Sequence, residues 1–72
     1  MNASLADAER AKQKAQTLLA RLSTVNGIGI ALLEGGYGVK VNLRSDQERA
    51  SIPEAIDGVP VIVAIVGVIT AD

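Results

Sequence analysis

The chain contains no cysteine and no histidine. Without cysteine neither a disulfide nor a thiolate metal site can form, and without histidine the other common ligand of zinc is missing as well. Tryptophan and phenylalanine are also absent, and Tyr37 is the one aromatic residue. We therefore expect an interior built from valine, isoleucine, leucine and alanine, with no metal and no cofactor.

The chain is also short. With 72 residues the chain is predicted to form a single domain, residues 1–72. A single hydrophobic core of this size gives only about 3 to 5 kcal/mol of net stability. Because disulfides are excluded, additional stability has to come from good packing or from association with another chain.

The chain also lacks an excess of charge of either sign. Seven Lys and Arg residues against eight Asp and Glu residues give a formal net charge of −1, which argues against a general attraction to nucleic acid or to an anionic membrane. The longest apolar run, residues 59–69, is far shorter than the ~20 residues of a membrane helix. Charges throughout the first 22 residues are unlike those of a signal or transit peptide. We expect a cytoplasmic location, no membrane contact and no nucleic-acid partner.

The N-terminal segment has the pattern of an amphipathic helix. Ser4 is followed three residues later by Asp7, which is the spacing of a capping box and predicts a helix start. Arg21 is expected in the last turn, where a cation is favoured by the helix dipole. Apolar residues at intervals of three and four predict a buried stripe of Ala8, Ala11, Ala15, Leu18, Leu19 and Leu22.

Two strands are predicted by an alternation of period two. In the first, branched residues alternate with small ones, so that one face carries Ile28, Ile30 and Leu32 and the other carries Gly27, Gly29 and Ala31. In the second, Val39, Val41 and Leu43 alternate with Lys40, Asn42 and Arg44. Glu34, Gly35 and Gly36 provide the backbone freedom of a short turn. The segment is therefore predicted to be a hairpin whose apolar face is covered by the helix.

Residues 44–58 interrupt this pattern and are predicted to be a connector with a short helical turn. Ser45 and Glu48 have capping-box spacing, and Pro53 fits the first position of a helix. Ile52 and Ile56, four residues apart, are expected to anchor this turn at the edge of the core. Asp57 and Gly58 then turn the chain into the last strand.

The last strand is predicted from Val59 or Pro60 to about Ile69. It is apolar on both faces, with Val61, Val63 and Ile65 on one face and Ile62, Ala64 and Val66 on the other. Such a strand is typical of a sheet covered on both sides. The predicted fold class is thus α+β, with an N-terminal amphipathic helix packed on a three-stranded sheet.

The glycines of residues 27–38 raise the question of a phosphate site. Gly27, Ile28 and Gly29 begin like a dinucleotide-binding fingerprint, but a hairpin follows where a helix N-terminus should meet the phosphate. We interpret the glycines as structural. Glu54 and Asp57 are assigned to a solvated turn beside Gly58. No catalytic, cofactor-binding or metal-binding residue is predicted, and we expect that the protein is not an enzyme.

The order of these features resembles a family of small bacterial domains. A helix with "LL" near its end, a "V-x-G-I-G-I" strand, a hairpin and "IPEAIDGVPVIVAIVG" are similar to the pattern "GVvGvGiG … LPxxIxGVPVxV", which is often found ahead of trypsin-like protease domains. The resemblance covers about residues 15–70, and its most specific part is residues 52–61. Because no catalytic domain follows in this sequence, the resemblance implies a small α+β domain that works by contact rather than by proteolysis.

Two functional hypotheses remain open at this point. In the first, the protein is a non-enzymatic interaction or accessory domain that binds a second copy of itself, or an unknown protein partner, because one helix covers only one face of the sheet. The apolar residues predicted for this contact are Gly27, Gly29, Ala31, Ile62, Ala64 and Val66. The connector 44–58 is the competing cover for the same face. In the second hypothesis, a small anion or a nucleic-acid strand binds Tyr37, Lys40, Asn42 and Arg44.

Overall fold

One helix lies on one face of a four-stranded mixed sheet in the computed structural model, which describes residues 3–66. The elements are α1 (Leu5–Leu18), β1 (Val25–Leu33), β2 (Gly36–Leu43), β3 (Ala55–Ile56) and β4 (Val59–Ile65), with a 3-10 turn at Arg49–Ser51. The predicted α+β class is confirmed. The prediction of three strands missed β3, because two residues are too short to display an alternation.

The strand order in the sheet is β1-β2-β4-β3. β1 and β2 form the predicted antiparallel hairpin, whose turn holds Gly35 at a φ of 86°, a conformation that favours glycine. β4 runs parallel to β2, with Val39 opposite Val61 and Val41 opposite Val63. Parallel neighbours need a long connection, and the connector provides it by returning the chain to the starting end of the sheet.

The start of α1 is as predicted. The Ser4 hydroxyl accepts a hydrogen bond from the Asp7 N–H at 3.0 Å, and the Asp7 carboxylate accepts one from the Ser4 N–H at 3.3 Å. This is a complete capping box, and its hydrogen bonds, assisted by Arg10, hold the pKa of Asp7 below its usual value. Asp7 also forms an ion pair with Arg10.

The end of α1 differs from the prediction. The helix stops at Leu18, which is 51% exposed, and Arg21 lies beyond it rather than in the last turn. The Leu22 N–H donates to the Leu19 carbonyl at 3.0 Å, so the chain tightens into a turn here instead of continuing the helix. The buried stripe is accordingly shorter than predicted and consists of Ala8, Ala11, Ala15 and Leu19.

The core is a single layer between α1 and the sheet. Val39, Val41 and Leu43 are completely buried at its centre, on the face of β2 that was predicted to be apolar. Val59, Ile52 and Ile56 are buried in the same cluster. Partly buried residues around it include Ile28, Ile30, Val61 and Val63. The alanines of α1 let the helix backbone approach the valines closely, which compensates for the absence of large aromatic side chains.

The connector packs on the helix side of the sheet. Ile52 and Ile56 are buried there, as predicted, but Ser45 and Glu48 form no capping box, and Pro53 follows the 3-10 turn instead of opening a helix. Glu48 instead accepts hydrogen bonds from Thr24, at 2.8 Å from its N–H and 2.5 Å from its hydroxyl. The predicted turn at Asp57 and Gly58 is present, with φ values of 51° and 80°.

β4 ends at Ile65, and the remainder of the predicted strand, up to Ile69, extends outside the described residues. The one helix assigned as α-helical within residues 3–66 is neither long enough nor apolar enough to span a bilayer.

Candidate functional site

The face of the sheet opposite α1 carries the residues predicted for self-association. Since Val39, Val41 and Leu43 point toward α1, their neighbours Lys40 and Asn42 point away from it. The strand register then aligns three rows across β1, β2 and β4: Gly27, Asn42 and Ala64; Gly29, Lys40 and Ile62; Ala31, Gly38 and Pro60. We call these nine residues, together with Val66 beyond the end of β4, the open face.

β4 forms an apolar ridge on the open face. Ile62 is 39% exposed and Val66, just beyond β4, is 43% exposed, and the two-residue β3 pairs with β4 only at Val59 and Pro60. In residues 3–66 the one helix covers the opposite face, and the buried isoleucines of the connector also pack on that opposite side.

β1 forms a hollow beside this ridge. A Cβ atom built on Gly29 meets nothing within 4 Å, and one built on Gly27 has only the Asn42 Nδ2 atom at 4.0 Å. Gly38 is different, because a Cβ there would lie 2.9 Å from the Pro60 carbonyl oxygen and 2.7 Å from a methyl carbon of Leu33. Gly38 therefore permits close packing, whereas Gly27 and Gly29 leave the surface of β1 bare.

The four residues of the alternative ligand face do not assemble on one surface. Lys40 and Asn42 share the open face. Tyr37 lies on the α1 side of β2 and packs against the core. Arg44 follows β2, and its guanidinium donates a hydrogen bond to the Ser23 carbonyl. The prediction grouped an odd-numbered residue of β2 with even-numbered ones, although the period of two in a strand separates them.

Asn42 contributes an unpaired polar atom to the open face. Its Oδ1 atom is buried and accepts no hydrogen bond from the part of the chain that the structure describes. An unsatisfied buried acceptor costs about 1 to 3 kcal/mol. The position of Asn42 between Gly27 and Ala64 places this cost within a surface that is otherwise mostly apolar.

A cavity of about 300 Å³ lies on the other side of the sheet, where the end of α1 meets the start of β1. Leu19, Leu22, Val25 and Ile28 form its apolar lining, and no acidic or basic side chain contributes to it. A smaller cavity of about 50 Å³ lies beside the hairpin turn near Tyr37. The larger cavity is lined by the first four residues of β1 and thus adjoins the start of that strand.

The carboxylates with displaced pKa values have structural roles. The pKa of Glu48 is lowered by the hydrogen bonds from the hydroxyl and the N–H of Thr24, and that of Asp7 by the capping box. A general acid at neutral pH needs a raised pKa, which is the opposite direction. Within residues 3–66 no three Asp or Glu side chains converge in a way that would hold a metal ion.

Gly38 and Pro60 belong to the open face but were absent from the predicted set. The alternation of β2 and β4 contained the signal for both, since Gly38 is two residues from Lys40 and Pro60 is two residues from Ile62. The cavity, by contrast, had no sequence signal, because it depends on where α1 ends.

Comparison with protein-family models found no match for the chain. Comparisons with curated proteins and with solved structures likewise found no significant match.

Proposed function

We propose that this protein is a non-enzymatic interaction domain that forms a homodimer through its open face. The observation that carries the proposal is the exposed apolar ridge of Ile62 and Val66 on the face of the sheet that α1 does not cover. Contiguous exposed apolar surface commonly marks a contact site. The lack of histidine and cysteine in the sequence supports a role in contact rather than in catalysis.

The size of the open face suggests weak association. The three long strands β1, β2 and β4, about 4.8 Å apart and about seven residues long, cover roughly 330 Å² of flat area. Stable complexes bury about 800 Å² on each partner. Each fully buried valine or isoleucine contributes about 1.5 to 3 kcal/mol, which offsets only part of the entropic cost of association. We therefore expect a dissociation constant in the micromolar range.

Lys40 is the feature of the open face that such a dimer has to accommodate. Its neighbour on β1 is Gly29, and a Cβ at Gly29 would meet nothing within 4 Å. The Lys40 stem therefore has room to lie across β1, the edge strand, and to keep its ammonium group in water beyond the sheet. The hollow of β1 thereby makes the charge compatible with an apolar contact.

The alternative function, binding of a small anion or a nucleic-acid strand, loses Tyr37, which lies on the α1 side, and the Arg44 guanidinium is engaged by the Ser23 carbonyl. A net charge of −1 opposes it. The proposal also includes a bacterial source, a cytoplasmic location and the resemblance to domains that precede proteases. The same open face would also fit a different protein partner.

Sedimentation equilibrium over micromolar to millimolar concentrations tests the dimer. We expect reversible self-association for the wild type and weaker self-association for a folded Ile62→Lys variant, because a buried ammonium disrupts the open-face contact. Val63→Lys places the same charge on the core side and should abolish folding. Leu18→Lys alters an exposed leucine on α1 and should leave the dimer intact.

A wild-type protein that stays monomeric at every concentration would contradict the proposal. So would an Ile62→Lys variant that is folded and dimerises as tightly as the wild type.

A further inference from the structure

The outer edge of β1 carries backbone groups that no strand of residues 3–66 pairs with, since β1 is the first strand in the sheet order. The direction of neighbouring bonds identifies them. The Val66 N–H donates to the Leu43 carbonyl, and the Arg44 N–H donates to the Thr24 carbonyl. Odd-numbered residues of β2 thus turn their backbone groups toward β4, and even-numbered residues turn theirs toward β1.

Because the residues of β1 lie opposite those of β2, the same alternation of backbone directions applies to β1. Gly29 and Ala31 lie opposite Lys40 and Gly38, so these residues exchange hydrogen bonds with β2. The residues between and beside them, Ile28, Ile30 and Leu32, therefore direct their N–H and C=O groups outward. These groups form a row of donors and acceptors along five residues of the edge.

β1 lacks the features by which proteins protect such an edge. Its nine residues include no proline and no charged side chain, and its one irregularity falls between Val25 and Gly27, at the end of the strand. Edge strands are usually short or interrupted by lysine, proline or a bulge, because a long apolar edge recruits another strand. The exposed part of β1 is suited to strand addition.

The two ends of this edge are complementary on the α1 side of the sheet. Leu32 is 76% exposed at one end, and the cavity of about 300 Å³ lined by Leu19, Leu22 and Ile28 lies at the other. Ile30 is midway between Ile28 and Leu32. A twofold axis at Ile30 places Leu32 of each copy opposite Ile28 of the other, beside its cavity. A projection and a hollow at equal distances from one point are what an isologous contact requires.

We propose that a second copy of this chain pairs its β1 antiparallel with β1, about a twofold axis at Ile30. The outward-facing N–H and C=O groups of the two copies then hydrogen-bond to each other, in the pairs Ile28 with Leu32, Ile30 with Ile30 and Leu32 with Ile28. The two four-stranded sheets become one continuous sheet. The exposed Leu32 of each copy then covers the apolar opening beside the partner's α1.

Charge complementarity supports this antiparallel arrangement. Glu34 is exposed in the hairpin turn, at the Leu32 end of the edge. At the other end of the edge, the Arg44 guanidinium donates a hydrogen bond to the Ser23 carbonyl. Arg21, two residues before Ser23, is exposed. Antiparallel pairing about Ile30 brings Glu34 of each copy opposite Asn26 of the other, near these arginines. A parallel pairing would place like charges together.

This edge contact is separate from the homodimer proposed through the open face. It uses the rim of β1 and the α1 side, whereas the earlier proposal uses the surface formed by Lys40, Ile62 and their neighbours. Either contact can exist without the other. The test therefore has to recognise the edge contact by its register.

Cysteine pairing provides this test, because the chain contains no cysteine of its own. In the proposed register Gly29 lies opposite the partner's Ala31 as a non-hydrogen-bonded pair, with Cα atoms about 4.5 Å apart, which is within the range for a disulfide. A side chain at Gly29 meets no atom within 4 Å, so Gly29→Cys is tolerated by the fold. Packing of two open faces leaves backbones about 10 Å apart, too far for a disulfide.

The Gly29→Cys and Ala31→Cys proteins are mixed in equal amounts in a glutathione redox buffer, and the disulfide dimers are counted by mass spectrometry. We expect the mixed dimer to exceed both symmetric dimers by at least tenfold. Leu32→Lys in both proteins should reduce the excess severalfold, while Ile62→Lys should leave it unchanged. A statistical ratio of one to two to one, or a predominance of either symmetric dimer, would overturn the edge contact without affecting the open-face proposal.

Discussion

Lys40 and Ile62 lie opposite each other on neighbouring parallel strands, so that a charged and a branched apolar side chain share the centre of the open face. On β1, the residue opposite Lys40 is Gly29, which leaves space for the lysine stem. The pair determines what this face can bind, because Ile62 gains from being covered and Lys40 loses if its ammonium group is enclosed.

Lys40→Met is expected to tighten self-association by about tenfold, because methionine retains an unbranched apolar stem and removes the ammonium group that has to remain in water. Sedimentation equilibrium measures the change. Lys14→Met serves as the matched control, since Lys14 pairs with Asp57 at 2.7 Å, away from the open face. Weaker association of Lys40→Met would mean that the charge makes a favourable contact, contrary to an apolar interface.

The anion-binding alternative predicts a different response. If Lys40 and Asn42 formed an anion site, the protein would bind single-stranded DNA or heparin in a salt-dependent manner, and Lys40→Glu would abolish binding. We expect no binding in fluorescence anisotropy at low salt, for the wild type and Lys40→Glu alike. Salt-dependent binding that disappears in Lys40→Glu would favour the alternative.

Gly38→Ala and Gly29→Ala provide a matched pair within the sheet. At Gly38 the added methyl group would lie 2.9 Å from the Pro60 carbonyl oxygen, whereas at Gly29 it would meet nothing within 4 Å. We expect Gly38→Ala to lower the free energy of unfolding by about 1 to 3 kcal/mol. Gly29→Ala should leave it nearly unchanged. Urea denaturation of the monomer measures both, and equal effects would contradict the close packing assigned to Gly38.

Glu48 should make the stability of the protein depend on pH. Its folded-state pKa lies below the ordinary value of 4.5, chiefly because the Thr24 hydroxyl and N–H donate to the ionised carboxylate. The resulting stabilisation is present above about pH 4.5 and is lost as the pH falls through the lower, folded-state value. Asp7 acts in the same direction from its ordinary value of 3.8.

Glu48→Gln should accordingly unfold at a lower temperature than the wild type at pH 7, and the difference should shrink as the pH falls below 4.5. Thr24→Val removes the hydroxyl donor and should weaken the same pH dependence. Thermal unfolding monitored by circular dichroism from neutral to acidic pH provides the measurement. A difference between Glu48→Gln and the wild type that is constant across this range would show that the carboxylate charge plays no part.

Local signals in the sequence were sufficient for most of the fold. Ser4 and Asp7 determine the start of α1 through two hydrogen bonds within one turn, and the alternation around Val41 determines which side of β2 is buried. Asp57 and Gly58 both adopt positive φ, as an Asp-Gly turn favours. Each of these features depends on residues close together in the sequence.

The failures concern contacts between distant residues. The hydrogen bonds from Thr24 to Glu48 join residues 24 positions apart, and they occupy the carboxylate that was assigned to a cap. β3 is formed because Ala55 and Ile56 meet Pro60 and Val59, not because of their own pattern. The open face was predicted in outline from periodicity, but the position of Lys40 beside Ile62 depends on the strand order, which the sequence does not encode locally.

The central claim, that the open face is covered by a second copy, is tested most directly by isotope-filtered NOE spectroscopy on an equal mixture of labelled and unlabelled protein. We predict contacts between the Ile62 methyl groups of one copy and open-face protons of the other at millimolar concentration. These contacts should fade on dilution to the low micromolar range. Well-resolved Ile62 methyl signals with NOEs only to protons of the same copy, at every concentration, would contradict the account.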